Sequence, residues 1–575
     1  MDNPFIRAVA SPGLLEPVVT ITPLRNGLQI DISVRNPSQQ SYSDVRAEEV
    51  RVQFDAHPKL VMEHGWQSWS VVGPRQADRP RTSQRMAPFW VRAMLHADPS
   101  AAGRYVAGDQ FLLAADGFGS NRNDAGIVGA LSGNHNLTTV TPLPGLSSRT
   151  DSQSTSLWAI CHLDGISLKP GEERRLDPLY VAVGDPGEIY STYMDLVAGE
   201  SKARSAAKSP LGWCTWYHYY LKVKPQDIIA NTLIASRHGF EMIQVDDCFQ
   251  SSLGDWTTYN ATFDGGRMAS LVAEIAEHGM QPGIWTAPFL ASPKSRVLNA
   301  HPDWVCLDRK HKPLKANWNP VGWGGWGLAL DTTNPAVLEH LRKVYASLAA
   351  DGWTYHKIDF LYAAAMAGQR SRQGRFTRAE SIRMGLEAVR EGIGEDAYLL
   401  GCGCPLAQAV GIVDAMRISP DTAALWSTHA LRLPGYPDTV PSLRSALRMT
   451  LLRAPMHRRL WVNDPDCILV RDTRTRLTPR ERRIGADVIG GTGGLRILSD
   501  DLATYGSKEW ELIDEINAIQ RIFDRPLRIL DPFASTIKVV PEDSCQAAGN
   551  AANTPMLQAD VVRITGKAAH ASISL

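Results

Sequence analysis

Hydrophobic and polar residues alternate with two different periods along this chain, and the change between them falls near residue 205. From about 15 to 185, runs such as GLQIDISVRN and SLWAICHLDGISL alternate residue by residue, broken every ten or so positions by Pro, Gly, Asn, Ser or Asp. A period of two with frequent turn formers predicts an antiparallel sandwich or similar all-β domain. A short helical stretch, IYSTYMDLVAG, and the polar segment ESKARSAAKSP then lead into a different texture. Beyond it come eight apolar strand candidates: GWCTW at 212, EMIQVDD at 241, QPGIWTAP at 281, YHKIDF at 355, YLLGCG at 398, DAMRIS at 414, LWVNDPD at 460 and LRILSDD at 495. Amphipathic helical patterns separate them, including NPAVLEHLRKVYASLAADG, in which Asn334 and Pro335 suit an N-cap and a first helical position. Eight β/α units in about 300 residues match the length and count of a (β/α)8 TIM barrel. An open doubly wound sheet is the structural alternative, but it would usually show fewer strands, and the chain has no GxxxxGK sequence. Segments such as RPLRILDP and ASTIKVVPED close the chain with a small β appendage. The expected division is a β-sandwich at 1–205, a barrel at 206–510 and a C-terminal β domain at 511–575.

Composition narrows the function classes. The 575 residues exceed a single ordinary core. Sixty Lys and Arg balance 60 Asp and Glu without a block of like charge, which argues against nucleic acid or an anionic membrane as partner. No apolar run approaches the 18 or so residues of a spanning helix, and the start MDNPFIRAVASPG has no basic stretch followed by an apolar one. Eight Cys are too sparse for a disulfide scaffold, which points to a reducing cytoplasm. The 16 Trp outnumber the 13 Phe. Large core side chains and flat walls for sugar rings both explain such a surplus.

The chemistry gathers at the strand ends. In a TIM barrel the C-terminal strand ends and the loops after them form the active face. Read in order, these ends carry Trp213 and Trp216, Asp246 and Asp247, Trp285, Lys357 and Asp359, Cys402 and Cys404, Arg417 and Asp421, Asp464 and Asp466, and Asp500 and Asp501. A single Asp at such a place is readily a helix cap, but Lys357, Arg417 and the two Cys cannot be caps. Lys357 and Asp359 lie two apart and share a side of the strand; a cation there would keep Asp359 ionised, as a carboxylate nucleophile requires. Asp421 follows the sixth strand in MRISPDTAALW, where Trp426 is placed to desolvate it and raise its pKa, as a general acid requires. Two carboxyls in unlike environments are what glycoside hydrolysis uses, and their separation decides retention or inversion. Metal ligation is the competing use of these carboxylates, at Asp246 with Asp247 or at Asp464 with Asp466. Cys402-Gly-Cys404 lacks a second pair of zinc ligands, and no HExxH is present. The expectation is no metal and no cofactor, with a neutral sugar held by paired Asp and covered by Trp.

The segments GWCTWYHYY, QVDDCF, GDW, GIWTAPF, HPDW, HKIDF, LLGCG, MRISPDTA and NDPDC, in this order and spacing, resemble glycoside hydrolase family 36, the bacterial α-galactosidases. The likeness covers roughly residues 60 to 510. It implies an N-terminal β-supersandwich, a catalytic (β/α)8 barrel and a C-terminal β domain. It also implies a retaining double displacement, with Asp359 as nucleophile and Asp421 as acid/base. Asp246 and Asp247 would hold the C4 and C6 hydroxyls, Trp285 would line the sugar pocket, and Lys357 and Arg417 would bind ring hydroxyls. Cys402 would sit near C2, and Trp66, in HGWQSWS, would reach over from the β domain to close the pocket. The expected activity is removal of terminal α-linked galactose from oligosaccharides of the melibiose or raffinose type. A transglycosylase, a hydrolase of another α-sugar such as N-acetylgalactosamine, and a non-catalytic sugar-binding barrel are the rivals. No interface can be recognised in a single sequence, so a homo-oligomer stays open.

Overall fold

The computed structural model describes residues 6–11, 15–41, 49–54, 56, 58–78, 111–115, 125–144, 155–427, 441–546, 555–559 and 570–574. Its centre is a closed parallel barrel. Eight strands build it: β1 (Leu211–Cys214), β2 (Met242–Val245), β3 (Gln281–Thr286), β4 (Tyr355–Ile358), β5 (Tyr398–Gly401), β6 (Ala415–Arg417), β7 (Val462–Asp464) and β8 (Arg496–Leu498). They pair side by side in chain order, and β8 returns to β1. Closure between β7 and β8 is made by a bent strand. Val462–Asp464 pairs with β6, the chain turns at Pro465 and Asp466 (φ 77°), and Cys467–Ile468 pairs with β8. All eight strand segments predicted from the apolar runs are present, because a strand buried on both faces reads as continuous hydrophobicity. The inner face packs Met242, Tyr355, Tyr398, Leu400, Ala415, Val462 and Ile497 together, while Ile243, Ile284, Ile358, Leu399 and Met416 face the helices.

The helices start where the sequence places caps. Asn334 accepts from the Ala336 amide at 2.9 Å ahead of Pro335–Ala350. Thr377 with Glu380 and Thr478 with Glu481 form capping boxes at Arg378–Ile393 and Pro479–Gly490. Sequence periodicity did not predict the small antiparallel sheet after β3, made by Leu290–Ala291, Lys315–Asn319 and Gly325–Ala329. Its strands are short and rich in Gly and Asn, so no clean period of two marks them.

The N-terminal region is a sandwich of two antiparallel sheets with a core of Val34, Val52, Phe54, Val61, Val128, Leu157 and Leu179. The segment His64–Ser70 leaves this sandwich and lies against the barrel. Arg453, which is wholly buried, binds it there: its guanidinium donates to the carbonyls of His64 (2.5 Å), Gln67, Ser68 and Ser70 and to Ile418 at the end of β6 (2.7 Å). Several carbonyl dipoles spread the charge where no water reaches it. Ser68 and Cys404 add a two-way link, Ser68 N to Cys404 O at 2.9 Å and Cys404 N to Ser68 Oγ at 3.3 Å. The helix Ser507–Phe523 runs through the boundary expected near 510, because Ile516 and Ile519 pack on Gly490 of the preceding barrel helix. A four-stranded antiparallel sheet follows, from Leu527 to Ser574. Among the described residues no helix is long and apolar enough to cross a membrane.

Candidate active site

The site lies at the C-terminal ends of β2 to β7. Strand β2 stops at Val245, so Asp246 and Asp247 fall just beyond the pleat and both turn into the pocket. Asp246 is anchored by its neighbours: its Oδ2 accepts from Gln244 Nε2 at 2.6 Å and from Lys357 Nζ at 2.9 Å, and its own amide donates to Thr215. Asp247 accepts from Gln250 Nε2 at 2.6 Å and from the Trp323 indole at 2.9 Å. Burial and the Asp246 charge outweigh these two donors and push the Asp247 carboxyl up to about 6.

Asp359 sits one residue past β4. Its Oδ2 accepts from the Trp285 indole at 3.0 Å and its Oδ1 from the Phe360 amide at 2.7 Å. Phe360 takes φ 55°, a left-handed conformation uncommon for a residue with a side chain, and so directs its amide back at the carboxylate. The expectation that Lys357 would pair with Asp359 is corrected: the ammonium bonds Asp246, since β2 and β4 flank β3 and both side chains point into the barrel mouth. Lys357 lies near Asp359 only as a secondary charge.

Arg417 is the hub of the opposite wall. Nε meets Asp464 at 2.9 Å, Nη2 meets Asp466 at 2.8 Å and Nη1 reaches Asp421 at 3.3 Å. Asp466 also accepts from the Tyr217 hydroxyl and from the Thr422 amide. It thereby fixes the start of the loop that carries Asp421. The Asp421 carboxyl is raised to about 7, first by crowding of protein atoms, then by the Asp466 charge and, more weakly, by Asp359; Arg417 and Lys357 oppose the rise. The Asp421 side chain still keeps 45% of its exposure, so solvent tempers the crowding. Trp426 packs, partly buried, against the main core, and the neighbouring charge that adds to the crowding of Asp421 is Asp466.

Cys402, in the turn after β5, is buried among Asp359, Arg417, Lys357 and Asp421. The next residue, Gly403, has φ 59°, and a Cβ there would stand 2.9 Å from the Trp69 ring. Only glycine lets the sandwich segment approach so closely. Trp66 lies on the same segment, its ring 6.3 Å from that of Tyr362 and edge-on to it. The Trp66 indole N–H is buried without an acceptor among the described residues.

The structure thus brings together Asp246, Asp247, Trp285, Lys357, Asp359, Cys402, Arg417 and Asp421, and sets Trp66 against Tyr362 in the segment after β4. It separates others from the proposed ring. Asp500 is locked to Arg471 at 2.6 Å and to two backbone amides, and Asp501 caps a short helix. Trp213 is fully buried and donates to the Asp500 carbonyl. Asp464 and Asp466 are both committed to Arg417, and among the described residues no group of three or more His, Cys, Asp or Glu is arranged to hold a metal ion. Trp323 and Tyr217 are the partners that sequence reading missed. Trp323 reaches the pocket from the unforeseen antiparallel sheet, and Tyr217 sits in a motif where two Trp drew attention first.

A melibiase family model matches residues 188–380. α-Galactosidase AgaA of Geobacillus stearothermophilus is 26% identical over 209 residues, which are 33% of this chain and 27% of that protein. The bifunctional α-galactosidase/sucrose kinase AgaSK of Mediterraneibacter gnavus is 32% identical over 109 residues, 18% of this chain and 12% of the relative. The aligned stretches therefore span less than a third of these relatives' lengths. In three dimensions the likeness is far more extensive. TtGalA, the α-galactosidase of Thermus thermophilus solved with p-nitrophenyl α-D-galactopyranoside, superposes with a TM-score of 0.70 at 26% identity, over 91% of this chain and 95% of that one. AgaA itself, at 15% identity, shares the fold with a TM-score of 0.65 over 96% of this chain and 74% of its own.

Proposed function

We propose that this chain, which belongs to the glycoside hydrolase family 36 α-galactosidases, is a retaining exo-α-galactosidase acting on oligosaccharides of the melibiose or raffinose type. The observation that supports this reading most is the pairing of two carboxyls in unlike settings within one pocket. Asp359 accepts two N–H bonds and is poised as the nucleophile, while Asp421 is raised to about 7 and can carry a proton at neutral pH. Asp359 attacks the anomeric carbon as Asp421 gives its proton to the leaving oxygen; water, activated by Asp421, then releases galactose. Asp246 and Asp247 accept from the sugar's C4 and C6 hydroxyls, and carboxylates held rigidly by Lys357, Gln244, Gln250 and Trp323 discriminate an axial from an equatorial hydroxyl. Trp285 covers the ring face, and its N–H orients the Asp359 carboxylate for attack. Arg417 and Lys357 bind ring hydroxyls, Cys402 abuts C2, and the Trp66 indole closes the pocket with a donor that no described residue occupies. A reducing cytoplasm is the proposed compartment, supported by the buried free thiols of Cys214, Cys402, Cys404 and Cys467.

The direct test is release of p-nitrophenol from aryl α-galactoside, α-glucoside and α-N-acetylgalactosaminide. The galactoside should be preferred at least roughly a hundredfold, as a site built to bond an axial hydroxyl rejects its epimer. Faster turnover of either competitor overturns the assignment. Trp323→Phe tests the mooring of Asp247. Loss of a donor to the ionised form must raise the Asp247 pKa further above its ordinary value. The acid limb of the kcat/KM profile, set near 6 by this carboxyl, should therefore move to higher pH, with KM up roughly tenfold or more. An unmoved limb would show that Asp247 does not act as a carboxylate in binding.

A further inference from the structure

The two carboxyls divide the pocket into sides. Asp246, Asp247, Trp285 and Asp359 come from β2, β3 and β4, whereas Asp421 follows β6. An acid that protonates the leaving oxygen must stand on the side through which the leaving group departs, so the aglycone extends from the sugar toward β6, β7 and β1. That side carries an aromatic cluster. Tyr217, on the β1 loop, donates to Asp466, which holds both Arg417 and the Thr422 amide next to Asp421. Tyr220 lies beside it, with ring centroids 6.4 Å from Tyr217 and 5.4 Å from Trp216, edge-on to both. Unlike its two neighbours, Tyr220 is 47% exposed. Its backbone is at φ 49° and ψ −137°, a region that glycine adopts freely and tyrosine rarely does. The strain holds a large, half-apolar ring in solvent beside the acid, where packing alone gives it little return.

We propose that Tyr220 is the aglycone platform of this enzyme, a flat face on which the sugar ring following the scissile bond rests once the terminal galactose occupies the Asp246–Asp359 pocket. The assignment rests on Asp421 being the acid, since that fixes the side on which the aglycone lies. The Trp216 and Tyr217 edges hold the ring upright, and its apolar face meets the C–H face of a sugar as aromatic platforms do.

The experiment compares two substrates, raffinose and α-galactosyl fluoride, whose leaving group is one atom and cannot reach Tyr220. For Tyr220→Ala, the ratio of kcat/KM on raffinose to that on the fluoride should fall about tenfold, mainly through KM for raffinose. Tyr220→Phe, which keeps the face and loses the hydroxyl, should restore most of the ratio. Tyr220→Gly should relieve the backbone and raise the melting temperature while losing the ratio as alanine does. An unchanged ratio in Tyr220→Ala, or equal losses on both substrates, overturns the platform; equal losses would mean that the ring only supports Tyr217 and Asp466. Wild-type enzyme inactive on both substrates would instead sink the α-galactosidase reading itself.

Discussion

Asp359→Ala should lose on the order of ten-thousandfold or more in kcat on an aryl α-galactoside, with KM little changed. In the proposed mechanism this carboxylate attacks the anomeric carbon, so its removal deletes bond formation as well as charge stabilisation of an oxocarbenium-like transition state. The fold should survive. Among the described residues Asp359 takes only an indole and an adjacent amide as partners, so alanine leaves two donors next to the pocket. Circular dichroism and a melting curve close to wild type check this. The shortened side chain also leaves room for a small anion. Azide should restore turnover and give β-galactosyl azide, because it attacks from the face that Asp359 occupied while Asp421 still protonates the leaving group. A variant within tenfold of wild type sinks the nucleophile, and an α-azide product would put the attacking face on the wrong side.

The position of Asp359 was legible in the sequence because it stands at a strand end, and strand ends are visible in apolar runs. The same logic located Asp246, Asp247, Lys357 and Arg417. Which of these would pair was not visible. Lys357 and Asp359 are neighbours in sequence, yet the ammonium chooses Asp246 across β3, a contact that only the barrel's closure creates. The ring of strand-end residues also included Asp500 and Asp501, and nothing in their spacing separated a buried clamp for Arg471 or a helix cap from a pocket carboxylate. Trp323 was hidden for a different reason. The Gly- and Asn-rich sheet that presents it has no period, so its indole reached Asp247 unannounced. Of the Trp surplus, Trp158, Trp213 and Trp353 are buried in packing, while Trp285 and Trp323 bond Asp359 and Asp247, Trp66 packs edge-on to Tyr362, and Trp256 backs Trp285 edge-on at 5.8 Å. Bulk composition could not apportion them, because the same side chain serves both purposes.

Asp421→Ala should behave unlike Asp359→Ala, and the contrast distinguishes acid from nucleophile. General acid catalysis matters in proportion to how poorly the leaving group departs unaided. Raffinose hydrolysis should fall on the order of a thousandfold, whereas α-galactosyl fluoride should still galactosylate Asp359 and then stall, since the water has no base. Azide attacks such a stalled β-linked ester from the opposite face, so the product should be α-galactosyl azide. That product requires a covalent intermediate and separates retention from inversion. The pH profile follows with a definite sign. Asp421 must carry its proton in the first step, so kcat/KM of the wild type should fall as pH rises through about 7, and this basic limb should vanish in the variant. Part of the elevation comes from the negative charge of Asp359. Esterification of Asp359 removes that charge, so the Asp421 pKa must drop once the galactosyl-enzyme forms. The proton it gave up is then not readily regained, and the same carboxyl becomes the base that the second step needs. A basic limb that persists in Asp421→Ala, or an equal loss of kcat/KM on raffinose and the fluoride, would assign the acid elsewhere.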